Sequence, residues 1–388
     1  MSTSPSSTSP PYSGDGGRDA TLVIQGFRTH RLSIPMPRRY VSGIHDYSAT
    51  ENVLVELDAG EATGSGHAFA FLPRQADAIM ALVVDFAETL VGRPVDHVRG
   101  IWSELWRRIN FVGQSGIAVM ALGAVDTALW DLLAQRGGMP LHRLLGAAHA
   151  DLPVYASGGW FTYAKEELVE EAHALAERGY RDYKIKVGHP DPRIDIERVE
   201  HLRAALGDQV RVMVDANQSW TVEQAIAAGR AFAELGVSWY EEPVAAHDVE
   251  GSARVAAAVD VPLASGETIF TRNGFRPLIE SQAADVVMAN VVRCGGPSQF
   301  MQVAMLADSH RLPVSSHTYT EVSAHLMAAC PNAGMVEHIP GWWDELFADP
   351  PAIRDGRILL PDRPGLGFGF SERALHDLAV DPVAVGAA

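Results

Sequence analysis

The chain has 388 residues, and its 48 Asp and Glu residues outnumber its 31 Lys and Arg residues, which gives a formal net charge of −17. Such an acidic protein is poorly suited to bind nucleic acid or an anionic membrane surface. Two cysteines, Cys294 and Cys330, are too few for a disulfide framework, and we expect both to be small buried residues. The composition therefore favours a cytoplasmic protein without nucleic-acid or membrane partners.

The N-terminal segment is unlike the rest of the chain. Residues 1–18 are rich in Ser, Thr, Pro and Gly, and they lack the basic start and the apolar core of a secretory signal. We expect them to form a disordered tail. No run of eighteen uninterrupted apolar residues occurs anywhere in the sequence, so it predicts no membrane-spanning helix.

Residues 19–148 show two kinds of hydrophobic pattern. Alternating apolar residues at 21–24 and 52–57 predict strands, with a polar, aromatic loop at 35–47 between them. From about Gln75 to Gly146 the apolar spacing becomes helical, most clearly at 117–133. These patterns predict an α+β domain.

After His149 the pattern repeats with a longer unit. Eight strand-like runs begin near Leu152, Asp182, Val210, Val237, Val261, Ala284, Leu312 and Met335. Amphipathic helical segments at 164–178, 192–206, 221–235 and 249–259 alternate with them. We therefore expect an α/β protein with a modified TIM-type (β/α) barrel at 149–341. Residues 342–388 should return to the first, capping domain, where the run from Arg357 to Leu360 could add a strand.

Three acidic residues end apolar runs at equal intervals. Asp215, Glu241 and Glu267 lie 26 residues apart in each case. In a (β/α) barrel this interval places the ends of successive strands together at one rim. Carboxylate oxygens are hard ligands that suit Mg²⁺. The spacing therefore predicts one metal site.

Other polar residues fall at the predicted strand ends. Lys184 and Lys186 flank Ile185, and because strand side chains alternate, both ammonium groups should face the barrel interior. Any one such residue is commonly a solvated charge or a structural hydrogen-bonding group. A whole succession of buried charges is expensive unless they are paired or bind a metal, so we favour an active site. The further members of this set are Asn217, Asn290, His317 and Glu337.

These residues resemble those of the enolase superfamily, and of its mandelate racemase subgroup in particular. The diagnostic pieces are Lys184-Ile-Lys186, Asp215-Ala-Asn217, Glu241-Glu-Pro243 and Gly266-Glu267, supported by Asp126 to Asp131 in the first domain, Arg293-Cys-Gly-Gly296 and Ser315-Ser-His317. The segment from Tyr183 to Gly341 is most similar to the acid-sugar dehydratases of the talarate/galactarate type. The resemblance also implies a homo-oligomer.

The resemblance assigns roles to the candidate residues. It implies that Asp215, Glu241 and Glu267 bind Mg²⁺, which holds the carboxylate of a small-molecule substrate. A proton beside a carboxylate is very weakly acidic, so its removal to give an enediolate needs nearby cations, here Mg²⁺ and Lys184. Lys186, its pKa lowered by the metal and the neighbouring lysine, would be the base. Glu337 would be protonated and would donate a hydrogen bond to the substrate.

One position departs from the subgroup pattern. The subgroup usually has an aspartate beside the seventh-strand histidine, but this chain has Asn290. A neutral amide carries no full charge to support His317 as a base. We therefore expect dehydration of a sugar acid to a 2-keto-3-deoxy acid, with Lys186 as base and His317 as acid, or Tyr319 as another donor. The alternatives are a racemase or epimerase of a 2-hydroxy acid, a cycloisomerase, and a non-catalytic acid-binding descendant. A muconate-type cycloisomerase is disfavoured, because that subgroup has lysine at this position.

The substrate class is predicted from the loop at 35–47. By resemblance it is the specificity loop of the first domain, and it carries Arg38, Arg39, Tyr40, His45, Asp46 and Tyr47. Such a polar lining suits a polyhydroxylated acid. Trp160 follows the first barrel strand and could contact a sugar face or an apolar substituent. The predicted substrate-binding residues are Arg38, His45, Tyr47, Trp160, Asn217 and Tyr319.

Overall fold

The computed structural model describes residues 22–207 and 209–381. The expected tail at 1–18 lies outside this part of the chain. The first domain begins with an antiparallel sheet of β1 (Gly26–Val41), β2 (Asp46–Ala59) and β3 (Ala62–Ala70). Helices α1 (Pro73–Glu88), α2 (Val98–Arg108), α3 (Gly116–Arg136) and α4 (Leu141–Leu144) follow, with a 3₁₀ turn at Val95–His97. The predicted α+β domain is confirmed, although residues 22–24 contribute only an isolated bridge from Val23 to Pro94.

The expected loop at 35–47 is mostly a β-hairpin. β1 runs to Val41 and β2 starts at Asp46, so only residues 42–45 turn. Tyr40 pairs with Tyr47 across the ladder, after a shift of register between Pro35 and Tyr40. Tyr40 also stacks on Trp160, with ring centroids 4.6 Å apart. This packing lengthens the two strands and holds the end of the hairpin against Trp160 of the second domain.

Helix α3 is the core helix of the first domain. Its length and composition alone would allow it to cross a membrane, since its most apolar window has a mean hydropathy of 1.7. However, 83% of that window is buried inside the protein, against β3, α1 and other elements. Cys294 and Cys330 are also buried and unpaired, as expected.

The second domain is the predicted barrel. Its strands are β4 (Asp151–Gly158), β5 (Asp182–Lys186), β6 (Arg211–Asp215), β7 (Tyr240–Glu241), β8 (Leu263–Ser265), β9 (Val286–Ala289), β10 (Val314–Ser316) and β11 (Val336–His338). Neighbours pair in parallel from β4 to β10, and β11 pairs with β4. A bridge from Val314 to Ala333 joins the remaining edge. The parallel strands therefore bring their C-terminal ends to one rim.

Seven of these strands are followed by helices. The helices are α5 (Lys165–Glu177), α6 (Pro192–Leu206), α7 (Val222–Glu234), α8 (Val249–Ala256), α9 (Thr271–Glu280), α10 (Pro297–Ser309) and α11 (Thr320–Ala328). β11 instead leads into turns in the described chain. Local signals set other boundaries: the Asp191 side chain caps α6, and Thr221 with Gln224 forms a capping box on α7.

The C-terminal segment contacts both domains. Short strands β12 (Phe347–Ala348), β13 (Ile353–Arg354), β14 (Arg357–Leu359) and β15 (Gly369–Phe370) precede α12 (Glu372–Asp377). β14 pairs with β4, so the expectation that this run extends the first domain's sheet is wrong. The return to that domain comes later, where Ser33 N–H donates to Leu378 O and Val380 N–H donates to Arg31 O.

Candidate active site

The three predicted metal ligands meet at the barrel rim. Lys186 is the register partner of Asp215, and Asp215 is the partner of Glu241, so adjacent strands place these side chains side by side. Glu267 follows the end of β8 by two residues. One oxygen from each of Asp215, Glu241 and Glu267 lies within 4.8 Å of the others, and all three residues are buried.

Both lysines of β5 point into this acidic cluster. Lys184 Nζ lies 2.8 Å from both carboxylate oxygens of Glu241 and 2.8 Å from Glu337 Oε1. Lys186 Nζ lies 2.5 Å from Asp215 Oδ2 and 5.3 Å from the ring centroid of Trp160. Lys184 is fully enclosed, whereas Lys186 borders an open cavity. Lys184 is thus placed as a fixed charge, and Lys186 can reach a substrate.

The electrostatics of Lys186 differ from the expectation. Burial lowers the pKa of its ammonium group, but the charge of Asp215 raises it, and the net pKa lies above the ordinary value. The expected depression by Lys184 is present but smaller than the effect of Asp215. Lys186 as a base therefore requires that the Asp215 charge be offset by another cation.

Glu337 is not the protonated donor that we expected. Burial raises the pKa of its carboxyl group, but Lys184 and other cations outweigh this and bring the pKa to about 2. Its Oε2 accepts a hydrogen bond from the backbone N–H of Thr318 at 2.8 Å. Glu337 is therefore an ionised partner of Lys184 and cannot donate a hydrogen bond to a carboxylate.

The backbone just beyond the strands is unusual. Asn217, Glu242 and Thr318 follow β6, β7 and β10 with positive φ angles of 42°, 36° and 48°. Such conformations are uncommon for residues other than glycine and concentrate at functional sites. Glu242 accepts hydrogen bonds from Gln218 Nε2 and from the backbone N–H of Gly266. It therefore joins the segments that follow β6 and β8 at the rim.

Asn290 and His317 are in contact. Asn290 Nδ2 lies 2.9 Å from His317 Nδ1, and the other ring nitrogen, Nε2, lies 2.9 Å from Glu267 Oε2. Burial raises the pKa of the Glu267 carboxyl group, but its interactions with His317, Lys186 and Arg293 outweigh this and bring the pKa well below the usual value. His317 thus lies between the metal-ligand cluster and the position where the subgroup has aspartate.

A cavity opens above these groups. Of the predicted residues, it is lined by Lys186, Asn217, Glu267, His317, Glu337, Trp160, His45 and Tyr47. Residues that the sequence did not identify complete its wall: Ser42, Phe69, Phe71, Arg293, Ile339 and Trp342. Trp160 and Trp342 are nearly parallel, at 12°, with ring centroids 6.3 Å apart. Part of the cavity wall is therefore aromatic.

Two predicted substrate-binding residues lie elsewhere. Arg38 donates to Glu167 Oε1 from both terminal nitrogens at 3.2 Å, packs over the Tyr163 ring, and does not line the cavity. The Tyr319 hydroxyl accepts a hydrogen bond from the backbone N–H of Phe69 and lies behind the cavity wall. A protein partner holds each side chain away from the cavity lining, so their role in substrate binding stays a prediction.

The donor set suits a divalent cation. All three clustered carboxylates supply oxygen, the ligand type that Mg²⁺ prefers. Asn217 Oδ1 is buried without a hydrogen-bond partner in the described chain, so the site holds an acceptor that its own donors do not satisfy. Asp215, Glu241 and Glu267 therefore fit Mg²⁺ as its ligands.

Comparison with known proteins agrees with this geometry. Residues 31–146 match the N-terminal domain of the mandelate racemase/muconate lactonizing enzyme family, and residues 167–374 match the enolase C-terminal domain-like family. The chain belongs to the enolase superfamily, in its mandelate racemase group, and is an enzyme of that superfamily.

Individual relatives are similar over most of their length. L-talarate/galactarate dehydratase of Salmonella typhimurium is 38% identical over 80% of this chain and 78% of that protein. Its crystal structure with Mg and L-lyxarohydroxamate superposes with a TM-score of 0.88 at 32% identity, covering 96% of each chain. 3,6-Anhydro-alpha-L-galactonate cycloisomerase of Streptomyces coelicolor is 33% identical over 92% of this chain and all of that protein.

Proposed function

We propose that this enzyme dehydrates a sugar acid to a 2-keto-3-deoxy acid with the help of Mg²⁺. A base takes the proton from the carbon beside the carboxylate, and the hydroxyl group on the next carbon leaves with a proton as water. The enol that remains tautomerises to the ketone, so the net change is the loss of one water molecule. The proposal is supported by the lysine pair, the carboxylate cluster and the similarity to acid-sugar dehydratases.

The chain's own residues divide the work. Lys186 Nζ at the cavity floor would accept the α-proton. Lys184, held by Glu241 and Glu337, supplies a positive charge near the developing negative charge. His317 Nε2 would donate toward the leaving oxygen. Mg²⁺ held by Asp215, Glu241 and Glu267 would supply Lewis-acid stabilisation of the substrate carboxylate.

The contact between Asn290 and His317 is the observation that favours elimination over racemisation. A two-base racemase must remove a proton from either face of the same carbon, and it needs a competent base on each side. An amide at 290 gives His317 no charged partner, which leaves Lys186 as the competent base lining the cavity in the described chain. Elimination requires only one base and one donor.

The aromatic wall favours a second candidate, a cycloisomerase that acts on a ring-shaped acid. Trp160, Trp342 and Tyr47 present flat apolar faces, which suit the C–H face of a cyclic sugar. The chemistry would be the same α-proton removal, followed by departure of a ring ether oxygen that stays in the product. Two cycloisomerases are among the relatives at 33% and 29% identity.

Incubation of the Mg²⁺-loaded enzyme with a panel of linear and anhydro sugar acids in D₂O separates these activities. Dehydration gives a product that is lighter than the substrate by one water molecule. Ring opening loses no water, so apart from incorporated deuterium the mass of the product equals that of the substrate. Racemisation changes only the configuration and introduces deuterium at the α-carbon. Lys186→Met should abolish α-proton exchange while Mg²⁺ binding, measured by calorimetry, persists. The exposed Lys165→Met is the matched control and should remain fully active. Exchange that survives in Lys186→Met would contradict the proposed base.

A further inference from the structure

The orientation of the Asn290 amide is fixed by the backbone that follows it. Asn290 Oδ1 accepts hydrogen bonds from the N–H groups of Val292 at 3.0 Å and Arg293 at 2.9 Å. Turning the amide over would place its NH₂ group against these two donors, which leaves only one acceptable orientation. Nδ2 therefore faces His317 Nδ1, at 2.9 Å.

This contact decides which nitrogen of His317 carries the hydrogen. An amide NH₂ group can only donate, so Nδ1 must be the acceptor, and a neutral ring then carries its hydrogen on Nε2. The Thr318 hydroxyl lies 3.3 Å from Nδ1 and 3.2 Å from Asn290 Nδ2. A hydroxyl both donates and accepts, so it is compatible with this arrangement and does not determine it.

We propose that Asn290 is a positioning residue that sets the tautomer of His317, so that Nε2 carries the hydrogen and is a donor and not a base. His317 lines the cavity, and its Nε2 lies 2.9 Å from Glu267 Oε2, a carboxylate oxygen that only a protonated Nε2 can bond. An aspartate at 290 would accept from Nδ1–H and leave the lone pair of Nε2 free to take a proton. The same two backbone donors would hold that aspartate. Position 290 therefore selects between a donor and a base at His317, which lines the same cavity as Lys186. The catalytic role of Asn290 rests on the proposed function, whereas the tautomer of His317 does not.

The tautomer is measurable without a substrate. In ¹⁵N NMR of histidine-labelled, Mg²⁺-saturated enzyme, with His317→Gln used to assign the signals, Nδ1 should resonate as an unprotonated ring nitrogen and Nε2 as a protonated one. Asn290→Asp should reverse the two. Thr318→Val is the control, and its spectrum should match the wild type because it keeps the Asn290 donor. A protonated Nδ1 in the wild type, or a reversal in Thr318→Val, would overturn the proposal.

The catalytic consequence has its own readout. The wild type should exchange the α-hydrogen of only one of two α-epimeric acids in D₂O, the one whose hydrogen faces Lys186. Asn290→Asp should exchange the other epimer at least about 100-fold faster than the wild type does. If the variant's spectrum reverses but this exchange does not appear, the donor-to-base assignment is refuted. If the wild type exchanges no acid at all, the proposed function fails while the spectra still test the tautomer.

Discussion

Replacing Lys184 by methionine should destabilise the barrel far more than a typical lysine substitution. The Lys184 ammonium group is fully buried and lies 2.8 Å from carboxylate oxygens of both Glu241 and Glu337. Lys184 Nζ also lies 3.9 Å from Asp215 Oδ2. Methionine fills a similar volume but leaves these carboxylates facing one another without the cation between them.

The magnitude follows from that burial. Removing one partner of a buried ion pair costs about 3–5 kcal/mol, because the charge left behind remains buried and uncompensated. For a domain the size of this barrel, each kcal/mol lowers the melting temperature by about 2–4 °C. We therefore expect Lys184→Met to melt about 6–20 °C below the wild type in a chelating buffer.

Differential scanning calorimetry with and without Mg²⁺ tests this reasoning. A divalent cation among the carboxylates should restore part of the loss, so the difference between variant and wild type should shrink when Mg²⁺ is added. Lys165→Met is the control: its ammonium group is 3.4 Å from Glu197 with both side chains largely exposed, and a pair of this kind contributes at most about 1 kcal/mol. Equal melting of Lys184→Met and Lys165→Met, or a difference that Mg²⁺ does not change, would refute the argument.

Three further outcomes are expected. Chelation should lower the wild-type melting temperature, because Mg²⁺ at 100 times its dissociation constant stabilises the fold by about 2.7 kcal/mol; Asp215→Asn should lose this response. Burial raises the pKa of Asp126 to about 7, above the value of about 4 in an unfolded chain. The native state then keeps a proton that the unfolded chain has lost, so the free energy of unfolding should fall between about pH 4 and 7, and Asp126→Asn should flatten this slope in denaturant titrations. Arg38→Ala should leave kcat/KM unchanged, whereas His45→Ala, which alters the cavity lining, should lower it; the reverse result would contradict the placement of both side chains.

The sequence predicted the barrel and its charged rim because both depend on local periodicity. Strand alternation places Lys184 and Lys186 on one side of β5, and parallel pairing sets Lys186, Asp215 and Glu241 in register. The boundaries of α6 were predicted to the residue, since an aspartate cap, a proline and a following glycine mark them. Such signals act within a few residues and need no knowledge of distant packing.

Properties that depend on distant partners were not predictable in this way. Arg38 is held by Glu167 and Tyr319 by the backbone of Phe69, and both partners are remote in sequence. The ionised state of Glu337 reflects its contact with Lys184, on another strand. Trp342 lies beyond the last barrel strand, where no periodic pattern marks it as part of the cavity wall. The sequence shows the residue types, but it does not show which distant residues their side chains contact.

The charges at the rim explain why the lysines must differ. In the described chain, four buried carboxylates, from Asp215, Glu241, Glu267 and Glu337, face two ammonium groups, and His317 lies beside Glu267. Burial and Asp215 raise the pKa of Glu241 well above its ordinary value, so the cluster is short of positive charge. A divalent cation would correct that shortage and would compete with Lys186 for Asp215, the residue that raises the pKa of Lys186. With the Asp215 charge offset in this way, Lys186 would be free to act as a base, while Lys184, held by Glu241 and Glu337, stays charged.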